Sequence, residues 1–238
     1  MKTPTGKLHL IPVGLGDADP ALWLPTAARE LASQLRIYIA ENAKTARAFL
    51  KLIGTALPLQ EITIHTLDSK VDNPQIRQWL QPLLQGQDIG LVSEAGCPAV
   101  ADPGAKVVSV AHAMNLRVVP WVGPSSILLS LMASGLEGQR FAFHGYAPVN
   151  PAERAQQLKA WENDSRKHQQ TQILIETPYR NDAMLATLLS SLKGSTRLCV
   201  ARSLTTEQEW VQTCSVAEWK SRPKPNLSKQ PAIFLFLA

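Results

Sequence analysis

The chain has 238 residues, of which 45% are hydrophobic and 18% charged, and its formal net charge is +5. This composition is typical of globular proteins and excludes a largely disordered or fibrous chain. No apolar run approaches the roughly 18 residues of a membrane span, and the N-terminal stretch has no apolar block or small-residue cleavage site. We therefore expect neither a membrane protein nor a secreted one.

The charge and the cysteine content indicate which partners, covalent links and cellular compartment the sequence favours. The excess of basic residues permits a polyanionic partner but does not demand one. The cysteines, Cys97, Cys199 and Cys214, are odd in number and far apart, and no Cys-x-x-Cys pair occurs. A disulfide framework and a zinc site are therefore not expected, and a reducing, cytoplasmic setting fits best.

Strand-like and helix-like patterns alternate through the first half of the chain. The predicted strands are residues 8–13, 36–40, 62–66, 88–93 and 116–119. The predicted helices start at a Thr26 cap, span residues 43–53, run from an Asn73 cap to Gly86, and span residues 105–114. This alternation predicts an α/β domain, residues 1–120, whose mostly parallel sheet has helices on both faces.

The second half, residues 121–238, reads differently. A helix is predicted from Ser125 and Ser126 to about Gly135. Predicted strands follow at residues 141–144, 172–175, 197–202, 209–214 and 232–237. Because these strands follow one another without recognisable helices between them, they predict a mixed sheet in a second α/β domain.

Turns rich in glycine and proline follow three predicted strands, where open α/β sheets bind their ligands. We call residues 14–20 the first turn, residues 93–104 the second turn and residues 120–126 the third turn. The first turn lacks the third glycine of the dinucleotide fingerprint, and no phosphate-binding loop of the Gly-x-x-x-x-Gly-Lys type occurs. The turns therefore predict a shared ligand cleft that does not bind a dinucleotide or a nucleoside triphosphate.

Several segments resemble the tetrapyrrole methylase superfamily, the class III S-adenosylmethionine methyltransferases. The matching segments are residues 40–45, 92–98, 102–104, 118–126, 133–136, 143–148, 175–180 and 201–205. They occur in the right order over nearly the whole chain. The chain looks most like the branch of ribosomal RNA small subunit methyltransferase I, which methylates a ribose 2′-hydroxyl of a cytidine in ribosomal RNA.

The resemblance implies two α/β domains with S-adenosylmethionine in the cleft between them, and a homodimer. It also implies a ribosomal RNA or 30S subunit as the partner and S-adenosylhomocysteine as the product. The cofactor contacts of the family map onto Gly14, Leu15, Gly16, Gly96, Cys97, Val100, Ser125 and Ser126 and, through backbone groups of the second domain, near Tyr179, Ala201 and Pro231.

Some positions depart from the pattern of that branch. Asn42, Ala43 and Lys44 replace Asp, Thr and Arg, Glu94 and Cys97 replace Asp and Thr, Tyr179 replaces His, and the branch commonly carries an extra C-terminal segment. Cofactor binding tolerates these changes because it relies largely on the backbone. Asn42, Lys44 and Tyr179 lie in segments expected to face the methyl acceptor.

A ribose hydroxyl is a poor nucleophile and benefits from a base or a polarising cation. The catalytic candidates are Glu41, Lys44, Glu176 and Arg180. Glu41 and Lys44, three apart on a predicted helix, fit a surface ion pair as well as catalysis. Glu176, at a strand end, equally fits a simple pair with Arg180.

Three functions remain open from the sequence. RNA methylation would need phosphate-binding cations, and Lys44, Arg47 and Lys51 share one predicted helix face, which is either an RNA-binding patch or a solvated surface. The alternatives are methylation of a tetrapyrrole or another small molecule, and a protein that binds S-adenosylmethionine without turnover.

We predict that His144 and Trp121 are packing residues.

Overall fold

A computed structural model describes residues 5–238 and divides the chain into two compact units. The first unit ends at Ser125, and the second comprises Ser126–Ala238. Both are α/β units with buried apolar clusters of their own, as the sequence predicts.

The first unit contains a five-stranded sheet in the order β3-β2-β4-β1-β5. Its strands are β1 (Lys7–Leu10), β2 (Ile37–Ala40), β3 (Thr63–Thr66), β4 (Ile89–Val92) and β5 (Arg117–Pro120). Every neighbouring pair is parallel, which confirms the predicted class. The carboxyl ends of all five strands therefore lie at one edge, where the three turns begin.

Helices pack on both faces of this sheet. The helices are α1 (Thr26–Gln34), α2 (Ala43–Ile53), α3 (Asn73–Trp79), α4 (Gln81–Leu84) and α5 (Gly104–Ala113). Along β2, Tyr38 joins the apolar cluster of α1 and α2, whereas the next residue, Ile39, joins the cluster of α3, α4 and α5. Because successive strand side chains point to opposite faces, the two clusters lie on opposite sides of the sheet.

Helix α2 has the predicted bounds. Its buried residues are Ala46, Phe49, Leu50 and Ile53, the apolar face read from the sequence. The Asn42 side chain accepts a hydrogen bond from the Lys44 backbone N–H at 2.9 Å and caps the helix. Gly54 ends it with φ of 74°, a left-handed conformation that glycine adopts without strain.

Three local predictions in this unit are wrong. The residue preceding α1 is Pro25, so Thr26 is helical and is not the cap. The cap of α3 is Asp72, whose carboxylate accepts a hydrogen bond from the Gln75 backbone N–H, so Asn73 is already helical. The predicted helix up to Gly86 breaks at Leu80, because Pro82 has no N–H to donate and its ring crowds the preceding turn.

The second unit contains a mixed five-stranded sheet in the order β6-β7-β10-β8-β9. Its strands are β6 (Phe141–Tyr146), β7 (Thr171–Ile175), β8 (Arg197–Arg202), β9 (Trp210–Ser215) and β10 (Ala232–Leu237). β6 and β7 are parallel, and the other neighbouring pairs are antiparallel. The predicted mixed sheet is confirmed.

The expectation that no helices separate these strands is wrong. Besides the predicted α6 (Ser126–Ser134), the unit contains α7 (Pro151–His168), α8 (Asn181–Ser191) and α9 (Val216–Ser221). Leu158 of α7, Leu188 of α8 and Trp219 of α9 join one buried cluster with strand residues. No helix within residues 5–238 is long and apolar enough to cross a membrane.

Candidate functional site

The three glycine-bearing turns meet at the carboxyl edge of the first sheet. Val13, just before the first turn, pairs with Gly96 of the second turn in both directions, at 3.0 and 3.1 Å. The Cys97 thiol of the second turn donates to the Pro124 carbonyl of the third turn at 3.4 Å. The first contact joins residues 83 positions apart and the second joins residues 27 positions apart, so the three turns lie side by side.

Two glycines in these turns have no room for a side chain. A Cβ atom on Gly14 would lie 3.1 Å from the Trp23 ring, and one on Gly96 would lie 3.3 Å from Leu15 Cδ2. Gly96 also has φ of 74°, which L-residues with side chains adopt only with strain. A side chain at either position would disturb the packing of the turns, so both glycines allow the turns to lie this close together.

The second turn is fixed from inside by side chains. The Ser93 hydroxyl donates to the Gly96 carbonyl at 3.1 Å, and the Asp102 carboxylate accepts from the backbone N–H groups of Ala99 at 2.9 Å and Gly104 at 2.6 Å. Burial raises the pKa of Asp102, and the two N–H donors oppose that rise. Val100, at the tip of the turn, remains 49% exposed, so the turn presents it on a rigid base.

Cys97, Trp121 and His144 show no feature of a catalytic group. Burial raises the pKa of the Cys97 thiol, which disfavours the reactive thiolate. The Trp121 indole N–H donates to His9 Nδ1 at 3.1 Å. His144 stacks on Trp161 with ring centroids 4.1 Å apart, in the second unit. The prediction that Trp121 and His144 are packing residues agrees with these contacts.

Glu41 lies at the end of β2, against the second turn. The Glu94 backbone N–H lies close enough to the Glu41 carboxylate to lower its pKa, but this effect is the smallest of those acting on Glu41. Burial raises the pKa of Glu41, and the nearby carboxylates of Asp102 and Glu94 raise it further. Among the catalytic candidates predicted from the sequence, Glu41 is the one that lies beside the turns and has a raised pKa.

The sequence left a surface ion pair between Glu41 and Lys44 open as the alternative to catalysis, and these two described side chains do not form one. Glu41 precedes the Asn42 cap, so it does not share a helix face with Lys44. Lys44, Arg47 and Lys51 are all exposed on α2, as the spacing predicts. No acidic residue occurs between Glu41 and Glu61, so this helix face is uniformly basic.

In the second unit, Glu176 and Arg180 form an ion pair at the end of β7. The Arg180 guanidinium donates to Glu176 Oε2 at 2.6 Å, and the Thr177 backbone N–H donates to Oε1 at 2.7 Å. The Glu176 side chain is fully buried. With both oxygens engaged, Glu176 holds the turn of residues 176–180 and is poorly placed to accept another proton.

The remaining family positions of this unit lie at one edge of its sheet. Ala201 is buried near the end of β8, next to Ile233 on β10. The Pro231 carbonyl, just before β10, accepts from the Ser203 backbone N–H at 2.9 Å. Tyr179, in the turn after β7, is 84% exposed. Ser126 begins α6 and Ser125 precedes it; both are half-buried.

Sequence reasoning missed two side chains at this edge, Asn181 and Gln230. Asn181 Nδ2 donates to the Gln230 carbonyl at 2.7 Å, although the residues are 49 positions apart. No local motif marks either residue, because their role depends on contacts between distant segments. No cluster of metal-ligating side chains occurs in residues 5–238.

Comparison with known proteins identifies the family pattern. Residues 7–220 match the model of the tetrapyrrole (corrin/porphyrin) methylases. The chain is 34% identical over 209 residues to a ribosomal RNA small subunit methyltransferase I of Xylella fastidiosa, covering 86% of this chain and 70% of that protein. A protein of the same name from Pseudomonas aeruginosa is 29% identical, covering 90% and 71%.

Solved structures of methyltransferases share the fold. The methyltransferase CobJ superposes with a TM-score of 0.63 at 16% identity, covering 98% of this chain and 94% of that one. Cobalt precorrin-4 methyltransferase superposes with a TM-score of 0.61 at 17% identity, covering 97% and 94%. At these identities the likeness concerns the fold alone.

Proposed function

This chain belongs to the tetrapyrrole (corrin/porphyrin) methylase family, and we propose that it methylates a ribose 2′-hydroxyl of ribosomal RNA. It is a methyltransferase that uses S-adenosylmethionine. The proposal that RNA is the substrate rests on the similarity, over most of the chain, to relatives named as ribosomal RNA methyltransferases. The solved methyltransferase structures that resemble it are only 16% and 17% identical, so they support the fold and not a substrate.

The residues present fit the methyl donor. Gly14 and Gly16 have no side chains and are not buried, so a ligand can approach their main-chain groups, whereas Gly96 pairs with Val13 and holds the turns together. The proposed contacts of the donor are Gly14, Leu15, Gly16, Gly96, Cys97, Val100, Ser125, Ser126, Tyr179, Ala201 and Pro231. When bound, S-adenosylmethionine supplies a methyl carbon activated by a sulfonium.

Glu41 is the proposed general base. Glu41 would take the proton of the ribose hydroxyl as the oxygen bonds to the methyl carbon and the carbon–sulfur bond of the donor breaks, and S-adenosylhomocysteine would be the product. The Glu41 carboxylate lies beside the second turn, near the Glu94 backbone N–H and the Asp102 carboxylate. Lys44 and Arg180 are cations that can hold phosphates, while Glu176 orients Arg180.

The function is tested by methyl transfer in vitro. The purified protein is incubated with tritiated S-adenosylmethionine and 30S subunits from a strain that lacks the corresponding methyltransferase. We expect label in the ribosomal RNA, recovered after nuclease digestion as a 2′-O-methylated nucleoside. Label on a base, transfer to a tetrapyrrole instead, or no transfer to RNA would each contradict the proposal.

The basic face of α2 is the proposed RNA surface. Neutralising it in a Lys44→Gln, Arg47→Gln, Lys51→Gln triple variant should weaken RNA binding. Each lost phosphate contact reduces the slope of log K against log salt by about 0.7 for single-stranded RNA, so we expect a decrease of about 2. Filter binding to a ribosomal RNA fragment over a salt series measures the slope.

The control for this experiment removes the same charge elsewhere. Lys159, Lys167 and Lys193 are exposed in the second unit, and their replacement by glutamine should leave the slope nearly unchanged. Equal slopes for the two triple variants would show that only net charge matters and that α2 does not contact RNA.

We also propose a homodimer in the cytoplasm. Two apolar side chains of α6, Leu128 and Met132, are 51% and 79% exposed, and large exposed apolar side chains on one helix are typical of an interface. Light scattering of the purified protein should give twice the 26.0 kDa chain mass. A monomeric mass at micromolar concentration would contradict the dimer.

A further inference from the structure

Three segments meet at the edge of the second sheet that contains Tyr179, Ala201 and Pro231. They are the turn of residues 176–180 after β7, the loop of residues 203–209 after β8 and the loop of residues 226–231 before β10. Backbone bonds join them only sparsely: Lys229 N–H donates to the Pro178 carbonyl at 3.3 Å, and Ser203 N–H donates to the Pro231 carbonyl at 2.9 Å.

Gln230 links all three segments. Its side-chain Oε1 accepts from the Ser203 hydroxyl at 2.8 Å. Its carbonyl accepts from Asn181 Nδ2 at 2.7 Å, directly after the turn of residues 176–180. One residue of the third loop is therefore bonded on one side to the β8 loop and on the other to the start of α8.

Burial of the Asn181 side chain has a cost in the free energy of folding. The residue is fully buried, and its Oδ1 has no hydrogen-bond partner within residues 5–238. A buried acceptor left unpaired loses its hydration without compensation, and this cost offsets much of what the Nδ2 bond to the Gln230 carbonyl contributes. The net contribution of the amide to stability is therefore small, and its place where the segments meet points to another role.

The loops that this network joins are strained. Ser203, Thr205 and Lys229 have φ of 49°, 68° and 58°, respectively. Residues with side chains adopt this left-handed region only where surrounding contacts impose it, and such residues concentrate at functional sites. The bonds of Gln230 and Asn181 are contacts of that kind.

We propose that Asn181 and Gln230 are positioning residues for the methyl donor. By joining the three segments, they set the separation of the main-chain groups at Tyr179, Ala201 and Pro231 before the donor binds. This inference rests on the proposed function, which assigns those three positions to the donor. Their loss weakens donor binding without removing a group that touches the reacting atoms.

The test separates positioning from stability. Asn181→Leu and Gln230→Leu are compared with the unsubstituted protein by calorimetry with S-adenosylhomocysteine, by thermal unfolding and by steady-state kinetics. We expect both variants to raise the dissociation constant and the KM for S-adenosylmethionine about tenfold, with kcat within about twofold. The melting temperature of Asn181→Leu should change little, because loss of the bond to the Gln230 carbonyl and removal of the unpaired Oδ1 act in opposite directions.

Two further variants serve as controls. Gln230→Glu keeps an acceptor oxygen for the Ser203 hydroxyl and should restore affinity to within about threefold of the original. Gln208→Leu replaces an exposed glutamine in the same loop and should change nothing.

Different outcomes separate this inference from the proposed function. If Gln230→Leu binds like Gln208→Leu, or if affinity falls only as far as the melting temperature falls, the positioning role is wrong. Tight binding by the unsubstituted protein without RNA methylation overturns the RNA substrate and leaves the positioning role standing. No binding by the unsubstituted protein overturns both.

Discussion

Replacing Glu41 by glutamine is expected to lower kcat for RNA methylation about 100-fold or more, because a positioned general base contributes roughly 10²–10⁴. Glutamine keeps the shape of the side chain, and the second turn should remain in place because Ser93 and Asp102 hold it. Calorimetry should therefore give an affinity for S-adenosylhomocysteine within about twofold of the original. Single-turnover rates with 30S subunits measure the chemical loss.

The pH profile provides an independent measurement of the same role. A general base must be ionised, so kcat falls as the pH drops through the pKa of Glu41. Because burial and the carboxylates of Asp102 and Glu94 raise that pKa, the acid limb should lie above the range of an ordinary glutamate. Glu41→Gln should flatten this limb, whereas replacement of the exposed Glu61 should preserve it. An unchanged rate and profile in Glu41→Gln would assign the base elsewhere.

Much of the first unit follows from local pattern. Alternating apolar residues identify its strands, and the spacing of Ala46, Phe49, Leu50 and Ile53, followed by Gly54, defines α2 to the residue. The three turns could be predicted from the sequence because glycine and proline are concentrated just after the predicted strands. Their positions in sequence also determine which edge of a parallel sheet they share.

The second unit was harder to predict for a physical reason. Helix α7 is mostly polar, with buried positions that include Arg154 and Glu162, so it lacks the apolar periodicity that indicates a helix. Glu162 is buried because its carboxylate accepts hydrogen bonds from the Lys193 N–H and the Thr196 hydroxyl. These contacts join residues far apart in sequence, so no local sequence pattern indicates them.

The same limit applies to the sites. Sequence reasoning placed Glu41 on a helix with Lys44, and only the structure moves it to the strand end beside Glu94. The link from Gln230 to Asn181 joins residues far apart in sequence and needs the fold to be seen. The sequence pattern predicts which backbone segments face a ligand. Only the three-dimensional fold shows which side chains hold those segments in place.

The second large effect is expected from Gly96→Val. Gly96 has φ of 74°, which a β-branched residue avoids, and its Cβ would lie 3.3 Å from Leu15 and 3.4 Å from the Pro124 carbonyl. The chain must rotate away, which breaks the paired bonds to Val13 and separates the three turns. We expect the affinity for S-adenosylhomocysteine to fall more than about 30-fold, equivalent to about 2 kcal/mol.

Gly54 supplies a matched control, because it has the same φ of 74° in the same unit but no atom within 4 Å of its Cβ position. Gly54→Val therefore suffers the same left-handed strain at the end of α2 without touching the turns. Both variants should lose stability, measured by thermal unfolding, but only Gly96→Val should lose binding in calorimetry. Equal affinities in the two variants would mean that the packed turns do not hold the methyl donor.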